Sequence, residues 1–151
     1  MKEEGKSPRR MAPETLKSLG QGTIAEAIGM ELLEVEHGRV VGRIPVDERT
    51  HQPYGLLHGG ASVVLAETLG SVGSHFIAEP LGKAAVGVEV NANHLRGVRS
   101  GWVTGTATLH HEGGRLHVWH IDIRDERDRA ICTSRLTVML VAQPGGNQSP
   151  A

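Results

Sequence analysis

The sequence predicts an α+β domain in which a six-stranded antiparallel sheet wraps around one long apolar helix. Residues 59–77 are small or apolar on nearly every helical face, and other structure surrounds a helix of that kind. Two strand-like segments precede the helix and four follow it. A twisted sheet of six strands has one face to cover, and one apolar helix is a suitable object for it to wrap.

Length and composition limit the class of protein. A chain of 151 residues is long enough for one domain with a sizeable core, and 38% hydrophobic with 22% charged residues is typical of a globular protein. A net charge of −1 gives no general attraction to nucleic acid or to anionic membranes, and no run of about 18 apolar residues predicts a membrane span. The single cysteine, Cys132, excludes an internal disulfide framework, and no apolar signal segment follows the charged N-terminus. We therefore expect a cytoplasmic protein with neither a nucleic-acid nor a membrane partner.

The first part of the chain predicts small elements. Residues 1–12 mix charges with Gly and Pro and predict a flexible tail, which places the domain at 13–141 and a polar C-terminal tail at 142–151. Residues 13–19 predict a short helix that stops at Gly20.

The next segments predict a further turn of helix and then a hairpin. Thr23 begins the helical turn, which Gly29 ends. From residue 31 to 46 the apolar period changes to two, on either side of the turn His37-Gly38, which indicates a β-hairpin.

The second part of the chain predicts the central helix and four strands in antiparallel succession. Pro80 and Gly82 end the helix. The strands that follow are separated by polar turns and span residues 85–95, 101–111, 115–125 and 130–141.

Chemically active residue types gather where the chain enters the central helix. Pro53 and Gly55 form a turn that delivers His58, Gly59 and Gly60 to the first helical turn. Free N–H groups at a helix N-terminus can stabilise a developing negative charge, and glycine lets a substrate approach the backbone. The same glycines could instead serve only the tight turn, and the residues alone leave both readings open.

Glu67 is the one carboxylate of the central helix. A charged group in apolar surroundings costs several kcal/mol or more unless it is paired or hydrated, so it is either a reactive carboxylate or one member of a buried ion pair. Ser71 follows four residues later on the same helix face, where its hydroxyl could hold water or the Glu67 carboxylate, or bond back to its own helix.

The stretch Gln52-Pro-Tyr-Gly-Leu-Leu-His-Gly-Gly-Ala-Ser-Val-Val-Leu-Ala-Glu-Thr-Leu-Gly-Ser71, with Val86-Gly-Val-Glu-Val-Asn-Ala-Asn-His-Leu-Arg96, resembles the hotdog-fold acyl-CoA thioesterases. The resemblance covers about residues 30–140. Within the family it is most similar to the branch of the dihydroxynaphthoyl-CoA and enterobactin-pathway proofreading thioesterases. It implies a hotdog fold and hydrolysis of an acyl-CoA, with an aromatic or otherwise bulky acyl group, to the free acid and CoA. It implies no cofactor, since coenzyme A is part of the substrate.

The resemblance also implies roles for residues. Glu67 matches the family's nucleophile or general base, Gly59 matches its oxyanion donor, and Gln52, His58 and Ser71 match positions around the thioester. Substrate and CoA contacts are implied at Gly60, Gly87, His94, Leu95, Arg96, Gly97, His111, Glu112, Gly113, Gly114, Arg115 and Leu116. The turn Glu112-Gly-Gly departs from the family's Leu-Gly-Arg/Ser.

Spacing along the helix predicts an oligomer. Gly59 and Glu67 are eight residues apart, which is about 12 Å along a helix axis, whereas both must come within about 3 Å of one carbonyl group. A site that takes Gly59 from one chain and Glu67 from another satisfies both conditions. We therefore expect an obligate homodimer, and the family suggests that two dimers pair into a tetramer.

Three other functions compete with hydrolysis. A hotdog dehydratase or hydratase would use His58 with Glu67 to move a proton at carbon, and a non-catalytic acyl-CoA-binding protein would need neither residue. Nine histidines invite a metal site, but His117 and His120 fall on opposite faces of a strand and lack Cys partners. The sequence therefore predicts no metal, and Cys132 is predicted to lie in the core.

Overall fold

The computed structural model describes residues 9–143, and the α+β prediction is confirmed in them. Six antiparallel strands wrap one long helix, which is the hotdog fold that the resemblance implied. The elements are α1 (Pro13–Ser18), α2 (Ile24–Ala27), β1 (Glu31–Glu36), β2 (Arg39–Pro45), α3 (Gly59–Ala78), a 3-10 turn (Glu79–Leu81), β3 (Lys83–His94), β4 (Trp102–Glu112), β5 (Leu116–Asp125) and β6 (Ala130–Ala142).

The order of strands in the sheet differs from the prediction for β3. The order is β1-β2-β4-β5-β6-β3, so the four strands after α3 do not pair in simple succession. β3 pairs with β6 rather than with β4, and residues 95–101 carry the chain across to β4, which lies beside β2. β3 therefore forms one edge of the sheet.

The opposite edge of the sheet is covered by the N-terminal segment. Arg10 forms a β-bridge with Glu36 of β1, and Met11 N–H donates to Val35 O at 2.9 Å. Arg9 donates to Phe76 O at 3.1 Å near the end of α3. The predicted N-terminal tail extends to residue 12, but residues 9–11 are held by these contacts. The rest of that predicted tail, and the C-terminal one beyond residue 143, lie outside the described residues.

Glycines let α3 approach the sheet closely. The Leu69 side chain packs between Gly42 of β2 and Gly105 of β4, where a Cβ atom at either glycine would lie 2.8 Å from it. One turn further along, a Cβ atom at Gly73 would lie 2.5 Å from the buried Trp119 ring. Larger side chains at these positions would push the helix away from the sheet.

The length and hydropathy of residues 59–81 would allow a membrane span, contrary to the expectation from the sequence. In the fold, however, 61% of the most apolar window of this segment is buried inside the protein. The sheet supplies the apolar environment that the helix requires, so this stretch is the core helix of the domain.

A buried polar cluster joins α3 to β5. The Trp119 Nε1–H donates to Ser74 Oγ at 2.8 Å, and Ser74 Oγ lies 3.0 Å from His117 Nδ1. All three side chains are at most 1% exposed. Because Ser74 Oγ accepts from Trp119, the Ser74 hydroxyl proton is available to donate to His117 Nδ1. Such a hydrogen bond requires that Nδ1 carries no proton.

Burial lowers the pKa of His117 below its usual value of 6.5; nearby Glu112 raises it, and His111, His37 and Lys83 lower it. As the pH falls through about 6.5, the unfolded chain binds a proton that the folded protein still excludes, so the free energy of unfolding decreases. We expect the urea midpoint to fall between pH 7.5 and 5.5. His117→Asn keeps an acceptor near Ser74 but does not titrate, so its midpoint should fall less. Equal pH dependence of both proteins would contradict a role for His117.

Candidate active site

The N-terminus of α3 leaves one backbone donor free. His58 is the N-cap residue, and its Nδ1 accepts from Gly60 N–H at 2.8 Å, while Ala61 and Ser62 N–H donate to His58 O. The hydrogen bonds of residues 9–143 give Gly59 N–H no acceptor. Since Nδ1 accepts, a neutral His58 ring carries its proton on Nε2, where it can donate. The first helical turn therefore offers a free N–H at Gly59 with an imidazole donor beside it.

A small cleft of about 380 Å³ surrounds Gly59. Gln52 lines it, and the Gln52 side-chain oxygen accepts from Tyr54 N–H, which leaves the Gln52 NH2 group as a donor. The His94 ring lies so close to Gly59 that a Cβ atom at Gly59 would be 2.8 Å from His94 Nε2. The predicted contact residues Leu95, Arg96 and Gly97 line the same cleft.

Glu67 lies in a different cleft, of about 1100 Å³, together with Ser71. Its side chain is half-buried, and in residues 9–143 no ion pair involves it, so the alternative of a buried salt bridge is not supported there. The carboxylate packs against Gly87 of β3, where a Cβ atom would lie 2.6 Å from Glu67 Oε1. Gly87, which was expected to contact CoA, thus makes room for Glu67.

Within one chain, the two principal predicted residues therefore lie in separate places. Gly59 and Glu67 lie on one helix but line different clefts. The predicted CoA contacts are divided in the same way. His94 to Gly97 follow the end of β3, whereas residues 111–116 form the β4–β5 turn near the start of β3, where Lys83 Nζ donates to Gly114 O at 2.8 Å. A strand of 12 residues such as β3 spans roughly 36 Å, so these two groups lie far apart within one chain.

Comparison with known proteins identifies the family of the chain. A family model described as the thioesterase superfamily matches residues 54–132, which include Gly59 and Glu67. The chain belongs to the thioesterase superfamily. It is a thioester hydrolase with the hotdog fold.

Relatives of this thioesterase agree with the fold and the family. It is 43% identical over 133 residues to a 1,4-dihydroxy-2-naphthoyl-CoA hydrolase of Escherichia coli, covering 88% of this chain and 97% of that protein. It is 42% identical to the proofreading thioesterase EntH of Cronobacter turicensis, covering 88% and 96% of the two chains. The crystal structure of a thioesterase from Haemophilus influenzae superposes with a TM-score of 0.86 at 40% identity, covering 93% of this chain and 98% of that one.

Two other predictions concern residues outside the clefts. His117 is buried and His120 is exposed, which confirms that they fall on opposite faces of β5. Within residues 9–143 of the thioesterase, no group of three or more His, Cys, Asp or Glu side chains is placed to hold a metal ion. Cys132 is 1% exposed and lies in the core, as predicted.

Sequence reasoning missed one wall of the larger cleft in this thioesterase. α1 and α2 were predicted only as short helices, but Leu16, Leu19 and Ile24 line the cleft that holds Glu67. The available signal was weak, because it consisted of apolar side chains on helices too short to bury them.

Proposed function

We propose that the protein hydrolyses an acyl-CoA with an aromatic or otherwise bulky acyl group, releasing the free acid and coenzyme A. The single observation that carries this proposal is that Gly59 N–H is a free hydrogen-bond donor. Among the N–H groups that open α3, it alone has no acceptor within residues 9–143, and it belongs to the glycine that matches the family's oxyanion donor. A preorganised N–H at that point stabilises the negative charge that develops on a thioester oxygen.

Glu67 supplies the other half of the chemistry. The Glu67 carboxylate, which has no ion pair within residues 9–143, can attack the thioester carbon. This step forms an anhydride and releases the CoA thiolate, and water then hydrolyses the anhydride. The carboxylate can instead take a proton from a water molecule that attacks the same carbon. Both routes break the C–S bond and add one water overall, so neither requires a metal or a redox cofactor.

Five other side chains assist in this proposal. The free NH2 group of Gln52 and the Nε2–H of His58 can donate to the thioester oxygen or to the leaving sulfur. Ser71 lines the cleft of Glu67 and can hold the attacking water. Arg96 and the His94 ring, beside Gly59, are suited to the pantetheine and phosphate portion of CoA.

The separation of Gly59 from Glu67 requires a second chain. We propose a homodimer in which the carbonyl lies between Glu67 of one chain and Gly59 N–H of the other. The open edge of β3 supports this arrangement, since among the described strands β3 pairs only with β6 and its other side is left for a partner strand. Antiparallel pairing of two β3 edges would set the Lys83 end of one chain beside the His94 end of its partner, which brings the divided CoA contacts together.

We propose further that two dimers pair. The support is a group of exposed apolar side chains on the sheet face that points away from α3. Val86, Met139 and Leu116 are adjacent across β3, β6 and β5, and all three are at least 36% exposed. An apolar patch of this kind is typical of an interface.

Glu67→Gln tests the carboxylate, since it keeps the shape of the side chain and removes its charge. We expect kcat for benzoyl-CoA, measured by thiol release, to fall by about 10²-fold or more with little change in KM, because the lost interaction belongs to the transition state. Glu79→Gln, a substitution on the surface near the end of α3, should leave kcat unchanged. A Glu67→Gln enzyme with wild-type kcat would remove Glu67 from the mechanism. Loss of water from a hydroxyacyl-CoA would instead favour the dehydratase.

Gly59→Pro tests the proposed oxyanion donor by removing its N–H. Proline suits the first helical position, and His58 before it already has the extended backbone that proline demands, with ψ of 129°. We expect kcat to fall by about 10²-fold. Gly59→Ala brings a similar Cβ atom near the His94 ring but keeps the N–H, so its kcat should fall much less. Equal loss in the two variants would assign the effect to crowding and contradict the donor role.

A further inference from the structure

We infer that the α1–α2 segment, residues 13–27, selects the acyl group, and that Ile24 is a specificity-determining residue for an extended, apolar acyl group. This rests on the proposed function, because it takes the cleft of Glu67 as the place where the acyl group binds. The cleft volume of about 1100 Å³ lies just above the usual range of small-molecule sites, which is about 300–1,000 Å³. A one-ring acyl group would leave much of that space to water.

The walls of the cleft differ in character. Glu67, Thr68 and Ser71 of α3 provide its polar side, whereas Leu16, Leu19 and Ile24 of the α1–α2 segment are apolar. Ile24 is 59% exposed and Leu19 is 37% exposed, so both still present apolar surface that a ligand could cover. Covering such surface is favourable, and a longer acyl group covers more of it.

Besides Glu67, four charged side chains line the cleft, namely Lys17, Glu26, Glu31 and Arg49, and the last three are engaged by other groups of the protein. Arg49 donates to both carboxylate oxygens of Asp47, Glu31 pairs with Arg43, and Glu26 accepts from Gly22 N–H at 2.7 Å. Glu26, Glu31 and Arg49 are thus already satisfied by the protein and give a charged acyl group no unpaired partner.

The wall that carries Ile24 is a short helix between two glycines. α2 has only four residues, and Ala25 is its one buried side chain. Gly22 and Gly29, with φ of 73° and 71°, flank it in the left-handed region that favours glycine. Ala25 anchors this wall to the domain, and Ile24 beside it lines the cleft.

Kinetics with three acyl groups of different size test the inference. The probes are 2-naphthoyl-CoA, benzoyl-CoA and acetyl-CoA, and thiol release gives kcat/KM for each. We expect Ile24→Ala to lower kcat/KM for 2-naphthoyl-CoA by about tenfold, for benzoyl-CoA by less, and for acetyl-CoA by less than about twofold. Leu19→Ala should shift the same preference in the same direction, while Ile24→Met should keep most of the wild-type value because it retains the apolar bulk.

Leu81→Ala is the matched control, since Leu81 is 64% exposed and lines neither cleft. It should change no ratio between substrates. Melting curves of all variants should match the wild type because the substituted side chains are exposed. A uniform loss for all three substrates, or no change for 2-naphthoyl-CoA, would overturn the role of Ile24 and leave the proposed hydrolysis standing. A wild-type protein that releases no thiol from any probe would overturn the proposed function itself.

Discussion

The close packing of α3 into the curved sheet is the constraint on which the rest of the structure depends. Leu69 fits between Gly42 and Gly105, and the Trp119 ring lies against Gly73, so the helix is held without room to shift. Both principal residues of the proposed site lie on this helix, about 12 Å apart along its axis. Because they line different clefts of one chain, we propose that a second copy of the same helix completes the site.

The sequence predicted α3 and its neighbours well because their signals are local. An apolar stretch bounded by a His-Gly-Gly start and by Pro80 and Gly82 placed the helix at 59–77, and the structure has Gly59–Ala78. The alternation of side chains likewise located each strand to within a few residues. The partner of β3 was predicted incorrectly. β3 pairs with β6, which is distant in the sequence, and the alternation of side chains along a strand does not indicate which strand it pairs with.

The candidate site, too, was predicted from the sequence only where its signals are local. Gly59 and Glu67 were found from residue type and resemblance, but the contact of Glu67 with Gly87 depends on where β3 lies in the sheet. That Gly60 N–H is not a second free donor depends on the ring of His58 accepting from it rather than turning outward. The apolar wall from α1 and α2 was missed because helices of six and four residues carry too few positions to show a buried face.

Complementation between two inactive variants tests most directly whether two chains share each site. Gly59→Pro and Glu67→Gln proteins are unfolded and refolded together in equal amounts, and thiol release from benzoyl-CoA is compared with that of each variant refolded alone. A mixed dimer has one site with an intact Glu67 and an intact Gly59 N–H, so random pairing should restore roughly a quarter of wild-type activity. A mixture no more active than its components, although mass spectrometry detects mixed dimers, would contradict the shared site.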